Sequence, residues 1–159
     1  MVHNLKGNLL DCECDYICHQ VNCQGVMGSG IAKQIRERFP EVFVSYASLC
    51  GRLSPEDLLG QIDIVNVGAP YNVINIFGQL DYGYDGARHT SYIALRDALS
   101  RIKAVIPYGM SIGFPKFMSC GLGGGDWAKV SKIIEEVLGE HYEVYIYEYD
   151  QRKFTDAIC

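Results

Sequence analysis

Two glycine-rich stretches carry residue types and spacings suited to holding phosphate. The first is Asn22-Cys23-Gln24-Gly25-Val26-Met27-Gly28-Ser29-Gly30; the second runs Ser119-Cys120-Gly121-Leu122-Gly123-Gly124-Gly125. Each follows an apolar run that reads as a strand and precedes a periodic run that reads as a helix. A helix start offers N–H groups without intrahelical partners and the positive end of the macrodipole, and glycine lets backbone approach an anion closely. Two such loops at the carboxyl ends of strands can clamp a diphosphate between them. The first loop lacks the Lys-Ser/Thr ending of a Walker A loop, and its glycine spacing is wrong for a dinucleotide fingerprint. Glycines that only make tight turns are the alternative reading of either loop alone.

Metal chemistry is a weaker prospect. The chain has seven cysteines, an odd number, and no Cys-x-x-Cys pair. Cys12, Cys14 and Cys18 with His19 come nearest to a ligand set, but two of the spacings do not match common zinc-ligand pairs. The stretch Tyr16 to Asn22 also reads as a strand, which would scatter those ligands over both faces. Neither a metal nor a cofactor is expected. Reduced, structural cysteines fit a cytoplasmic address.

The elements that must position the loops alternate. Leu5 to Leu10 reads as a short strand or strand end, and Tyr16 to Asn22 as a second strand. Gly30 to Phe39 reads as a helix, with Ile31, Ile35 and Phe39 four apart and Pro40 just past its end. Residues 41–49 suggest another helix, and Ser54-Pro55-Glu56-Asp57 a cap with proline in the first turn. Ile62 to Val67 and Val73 to Phe77 suggest a hairpin across a long turn. Gly78 to Thr90 is a loop rich in Gly, Tyr and Asp. Ser91 to Val105 is predicted helical, Ser111 to Phe114 a buried strand, Trp127 to Leu138 a helix and Tyr142 to Tyr149 a last strand. Strands interleaved with helices imply an α/β fold: three layers, α/β/α, around a mixed sheet.

The bulk numbers agree. At 159 residues the chain fits one domain, and 48% hydrophobic content marks it as globular. A net charge of −5 gives no general field for polyanions, so no long nucleic-acid partner is expected. Nothing approaches the roughly 18 apolar residues of a membrane span, and the N-terminus has no basic-then-apolar signal pattern. No membrane partner is expected, and a monomer is.

The run from His19 through Pro40, centred on Gly25-Val26-Met27-Gly28-Ser29-Gly30-Ile31-Ala32, resembles the first ligand loop and helix of macro domains, chiefly the ADP-ribose-1″-phosphate phosphatase type. Lys6-Gly7-Asn8-Leu9 resembles the family's opening turn, Ser119 to Trp127 its second phosphate loop, and Val144 to Tyr149 its closing strand beside the adenine. The resemblance covers essentially the whole chain and implies one macro domain over 1–159. It implies ADP-ribose or a derivative as ligand, with ADP-ribosylated protein as a further partner class.

Residue by residue, the resemblance implies that Asn22 contacts the distal ribose and that Met27, Gly28, Ser29, Gly30, Ile31 and Ala32 line diphosphate and ribose through backbone N–H groups. Cys120, Gly121, Leu122, Gly123, Gly124 and Gly125 would close from the other side. Asn8 stands where most relatives carry an adenine-binding Asp, and its oxygen can still accept a hydrogen bond without charge assistance. Leu9 would add a backbone contact, and Tyr147 or Tyr149 would stack on adenine, with cross-strand packing as the alternative.

Chemistry at C1″ of the distal ribose needs an activated water and stabilisation of developing charge. His19 is the leading acid–base candidate, because it matches a histidine of the phosphatase type. On a regular strand, however, His19 and Asn22 point to opposite faces. Asp126 is the second candidate, with a helix cap as its alternative role. Asp81, Asp85, Arg88 and His89 lie in the tyrosine-rich loop, within reach of the distal ribose. The chain also resembles deacylating macro domains, but it has Gln79 and Gly123 where those place a catalytic Lys and Asp. A lysine adduct is therefore not expected. Water attack on a 1″-phosphate or an ester, or binding alone, is.

Overall fold

Alternation of apolar residues along short β-rich runs builds a six-stranded sheet with its strand ends aligned along one edge. The computed structural model describes residues 1–68, 70–83 and 85–149. The strands are β1 (Val2–Lys6), β2 (Tyr16–Val21), β3 (Ile62–Asn66), β4 (Asn72–Phe77), β5 (Ser111–Pro115) and β6 (Glu143–Glu148). The helices are α1 (Gly30–Arg38), α2 (Pro40–Arg52), α3 (Pro55–Leu58), α4 (Tyr92–Val105) and α5 (Trp127–Leu138). Sheet order is β1-β6-β5-β2-β4-β3. Every pairing is parallel except the β3–β4 hairpin, which is antiparallel. The mixed sheet expected from the sequence is therefore present.

Both faces are covered. On one, Cys18, Ile74, Phe114 and Val144 pack with Leu95, Leu99 and Ile102 of α4 and with Val130, Ile134 and Leu138 of α5. On the other, Ile17, Val21, Val73 and Phe77 pack with Ile35 of α1 and with Val42 and Tyr46 of α2. Burial of such side chains stabilises by roughly 1.5–3 kcal/mol each and sets which edge of the sheet stays open for ligand.

One expected element is corrected. Leu5 to Leu10 does not continue as a strand: β1 stops at Lys6, Gly7 has φ 151°, and Leu9–Asp11 forms a 3-10 turn. Asn8 causes the stop, since its Oδ1 accepts from Leu10 N at 3.0 Å and so caps that turn. Elsewhere the elements fall within a few residues of expectation. The second helix is longer, because Pro40 opens it at its first turn and it runs on to Arg52. Ser54 caps α3 by accepting from Asp57 N at 3.2 Å. Among the described residues no helix is long and apolar enough to cross a membrane.

Candidate active-site cleft

The carboxyl ends of β2, β4 and β5 lie side by side, and a cleft of about 870 Å³, open to solvent, sits above them. Asn22, Met27, Gly28, Ser29, Ile31 and Ala32 line one wall; Gly121, Leu122 and Gly123 line the other. The two glycine loops thus face each other, as the clamp reading requires. Ser29 is the N-cap of α1, yet its side chain makes no capping hydrogen bond. The first-turn N–H groups of α1 are left to a ligand.

Asn22 holds its own loop. Its Oδ1 accepts from Gln24 N at 2.9 Å, and its Nδ2 donates to Val26 O at 2.7 Å. The buried Tyr46 hydroxyl lies 2.8 Å from the Asn22 carbonyl oxygen and 2.7 Å from Oδ1, and it accepts from Gly25 N at 3.1 Å. Oδ1 is therefore spent on the loop, while Nδ2 carries a second hydrogen beyond the one given to Val26. Burial pushes the Tyr46 phenol well above its usual range, so it stays a neutral donor.

The floor is a network that sequence reasoning missed. Gln20 Oε1 accepts from Ser119 Oγ at 2.6 Å, and Gln20 Nε2 donates to Gln79 Oε1 and to Thr90 Oγ1, both at 2.9 Å. Thr90 Oγ1 in turn donates to Ser119 O at 2.9 Å. One amide thereby ties β2 to the loops that follow β4 and β5. Gly78 makes room for it, since a Cβ there would clash with the Gln20 side-chain amide. A hint lay in the polar residues (Gln20, Gln79, Ser119) at the ends of three apolar runs. Tyr82 and Gly83 of the tyrosine-rich loop also line the cleft, with Val26 and Met118.

Several expected residues stand elsewhere. His19 is fully buried on the face of the sheet covered by α2, where Nε2 donates to Asn75 Oδ1 at 2.5 Å. Asn75 Nδ2 donates to Asp63 at 3.2 Å, and Ser45 Oγ donates to the same carboxylate at 2.9 Å, so the histidine ends a ladder across three strands. Strand alternation explains this: Ile17, His19 and Val21 share one face, and that face is packed. His19 is accordingly not a group that meets a ligand in the cleft. Asp126 is the N-cap of α5, accepting from Ala128 N at 2.9 Å, and it does not line the cleft.

Asn8 and Tyr147 do come together, but along a second cavity of about 990 Å³ with Cys12, Cys14 and Tyr145, not in the main cleft. Leu9 is buried beside β5, where a Cβ on Gly113 would meet its Cδ1 at 2.8 Å. Tyr149 follows β6, and Gly30 opens α1 with φ 58°. Cys120 is half-buried with its thiol donating to Met118 O at 3.2 Å. Gly124 and Gly125 pack their backbone against Ala87 and Ser119, shaping the second loop from behind. Asp85 accepts from His89 at 3.0 Å, outside the cleft lining. Cys12, Cys14, Cys18, Cys23 and Cys50 are free thiols; Cys159 lies outside the described residues. No cluster of metal-ligating side chains occurs among the described residues.

Burial drives the His19 pKa down from 6.5 to about 4, the hydrogen bond to Asn75 only partly opposing it. Above pH 6.5 the imidazole is neutral folded or unfolded. As pH falls from 6.5 toward 4 only the unfolded chain takes the proton, so stability is lost, by up to about 3 kcal/mol. Thermal melts at neutral and acidic pH should show this loss in the wild type and a smaller one in His19→Gln. An equal acid shift in both proteins would assign the sensitivity to other groups.

Comparison with known proteins follows the same geometry. The sequence profile of the Macro domain family matches residues 18–134, from within β2 into α5, and so takes in both glycine loops. A DNA ADP-ribosyl glycohydrolase of Thermus aquaticus is 29% identical over 153 residues, covering 93% of this chain but 41% of that protein. The chain thus spans about two-fifths of that relative's length. An ADP-ribose 1″-phosphate phosphatase of Scheffersomyces stipitis is 26% identical over 174 residues, covering 92% of this chain and 99% of that one. The macrodomain of Mycobacterium tuberculosis DarG superposes with a TM-score of 0.75 at 26% identity, over 92% of this chain and 97% of that one. Fold, paired loops and profile match converge: this chain belongs to the macro domain family.

Proposed function

We propose that the cleft binds the ADP-ribose unit and that the protein hydrolyses the bond its distal ribose makes at C1″, with ADP-ribose 1″-phosphate as the leading substrate. The observation that carries this is the α1 N-terminus, uncapped by Ser29, facing Gly121 to Gly123 across one open cleft. Opposed N–H groups suit a diphosphate, and the remaining Asn22 N–H suits the adjoining ribose.

The cleft's chemistry narrows the mechanism. Among its described lining residues the polar side chains are amides and hydroxyls, with no carboxylate, imidazole or ammonium. Catalysis then rests on orienting the bond and a water, and on backbone N–H groups that meet developing negative charge. Hydrolysis adds water across the phosphoester, releasing ADP-ribose and inorganic phosphate: an oxygen of the substrate's phosphate takes a proton from the attacking water and passes one on to the leaving O1″, so that ADP-ribose departs with its hydroxyl and phosphate keeps the other proton. The expected pH profile of kcat follows the substrate's phosphate, which titrates near about 6, and shows no protein imidazole. Isothermal calorimetry with ADP-ribose and a phosphate-release assay test the two parts. Absence of saturable ADP-ribose binding sinks the reading; binding without turnover leaves a binding module.

A second reading keeps the cleft and changes the leaving group. Similarity to a DNA ADP-ribosyl glycohydrolase favours release of ADP-ribose from a nucleic-acid carrier, and ADP-ribosylated protein is the other carrier class. Comparing turnover of 1″-phosphate, an ADP-ribosylated oligonucleotide and an ADP-ribosylated glutamyl peptide decides among them. Gln79 and Gly123 at the cleft argue against a lysine-adduct route for any of these.

A further inference from the structure

Cys12 and Cys14 stand together in the wall of the second cavity, and neither lines the main cleft. Cys12 follows the 3-10 turn in extended backbone, at φ −72° and ψ 164°. Glu13 between the cysteines is exposed while both of them are buried. The two thiols therefore turn to the same side, as residues two apart do on an extended chain. They meet there: Cys14 Sγ and the Cys14 backbone N–H both donate to Cys12 Sγ. From β6 the Tyr147 hydroxyl donates to Cys14 Sγ. On β5, Gly113 leaves the thiol room, since a Cβ there would lie 3.3 Å from Cys14 Sγ. Residues two apart on an extended chain have Cα atoms about 6.6 Å apart, within the span that a disulfide bridges.

We infer that Cys12 and Cys14 form a peroxide-reactive dithiol that closes to a reversible disulfide, with Cys12 the attacking thiol and Cys14 the resolving one. The direction of the hydrogen bond sets these roles. By donating to Cys12, Cys14 holds that thiol below its ordinary range, against burial and the Asp11 carboxylate. The thiolate is the nucleophile, and the cavity gives a small oxidant access to it. The Cys12 sulfur attacks one oxygen of hydrogen peroxide and the O–O bond breaks; Cys12 becomes a sulfenic acid, and the leaving hydroxide takes up the Cys12 proton as water. The same hydrogen bond and burial push the Cys14 thiol up, so it still carries its proton beside the new S–OH group. Its sulfur attacks the Cys12 sulfur, the S–O bond breaks, and hydroxide departs as water with the Cys14 proton. One peroxide is reduced to two waters, and the two thiols together give up two electrons. Cys18 and Cys23 line neither cavity, and burial pushes both thiols up, Cys23 to about 12. Burial raises Cys50 as well.

The test treats the full, reduced chain with hydrogen peroxide, blocks the remaining thiols with N-ethylmaleimide and locates them by peptide mass spectrometry. Wild type should lose two hydrogens between Cys12 and Cys14 and regain them with dithiothreitol. Cys18, Cys23 and Cys50 should remain open to blocking after denaturation. In Cys14→Ser the hydroxyl still donates to Cys12 but cannot resolve it, so dimedone should trap a sulfenic acid at Cys12. Cys12→Ser should slow oxidation of Cys14 at least about tenfold, because the Cys14 thiol keeps its proton. Oxidation of Cys18, Cys23 or Cys50 ahead of the pair overturns the inference, as does a disulfide from Cys12 or Cys14 to another cysteine. Equal rates at Cys14 in wild type and Cys12→Ser overturn it too. The wild-type mapping needs no variant, so a misfolded substitution cannot conceal the outcome.

Discussion

Gly123→Ala should reduce ADP-ribose affinity by about 100-fold or more, because the second loop cannot keep its position with a methyl group there. A Cβ on Gly123 would lie 2.6 Å from Thr90 Oγ1 and 2.7 Å from the Ser119 carbonyl oxygen. The hydroxyl can rotate away, but the carbonyl cannot without moving the loop. The Gly123 carbonyl also accepts from His89 N at 2.8 Å and from Thr90 N at 2.9 Å, so any shift drags the tyrosine-rich loop with it. Overpacking of this kind costs about 1–3 kcal/mol of stability. Gly124 is constrained differently, with φ 69° and a Cβ that would meet Ala87 O at 2.7 Å, so Gly124→Ala adds backbone strain to a clash. Calorimetry with ADP-ribose, with melting curves as control, checks the claim. Wild-type affinity in a folded Gly123→Ala protein would show that the second loop does not contact the ligand.

Tyr46→Phe is the second large effect, expected from a residue that touches no ligand. Its hydroxyl bridges the Asn22 carbonyl and Oδ1 to Gly25 N, all in the first loop. Phenylalanine keeps the packing, including the stack on Phe77 at 5.8 Å, and removes only that bridge. Leaving buried polar groups short of a partner costs about 1–3 kcal/mol. Asn22 then turns more freely, and the α1 N–H groups lose their fixed approach. ADP-ribose Kd should rise about tenfold, with a smaller change in melting temperature than Tyr46→Ala produces. A Tyr46→Phe variant with wild-type Kd would confine the hydroxyl to folding.

What the chain made legible was local. Glycine runs between an apolar strand and a periodic helix identified both loops, since only backbone freedom and a helix start are needed for that reading. Strand alternation separated His19 from Asn22, and the structure puts His19 at the end of the His19–Asn75–Asp63 ladder for that reason. The Asp126 cap was legible too, being a first-turn rule. Where two local rules competed, pattern alone chose the wrong one. The apolar run Leu5 to Leu10 looked extended, but the Asn8 side chain offered the backbone a turn instead.

Long-range geometry was decided only by the tertiary fold. Gln20 stood out locally only as a polar residue near the end of an apolar run; its role was hidden because its partners Gln79, Thr90 and Ser119 lie 59, 70 and 99 residues away. Tyr46 likewise lies in a run legible only as a helix, and its hydroxyl finds Asn22, 24 residues away, only through the packing of α2. The sheet order puts β5, β2 and β4 side by side, and no periodicity in the chain specifies that order. The paired loops were thus written in the sequence as two separate glycine-rich helix starts. Their meeting across one cleft and its neutral amide floor depend on contacts between distant residues, and burial of both sheet faces brings those residues together.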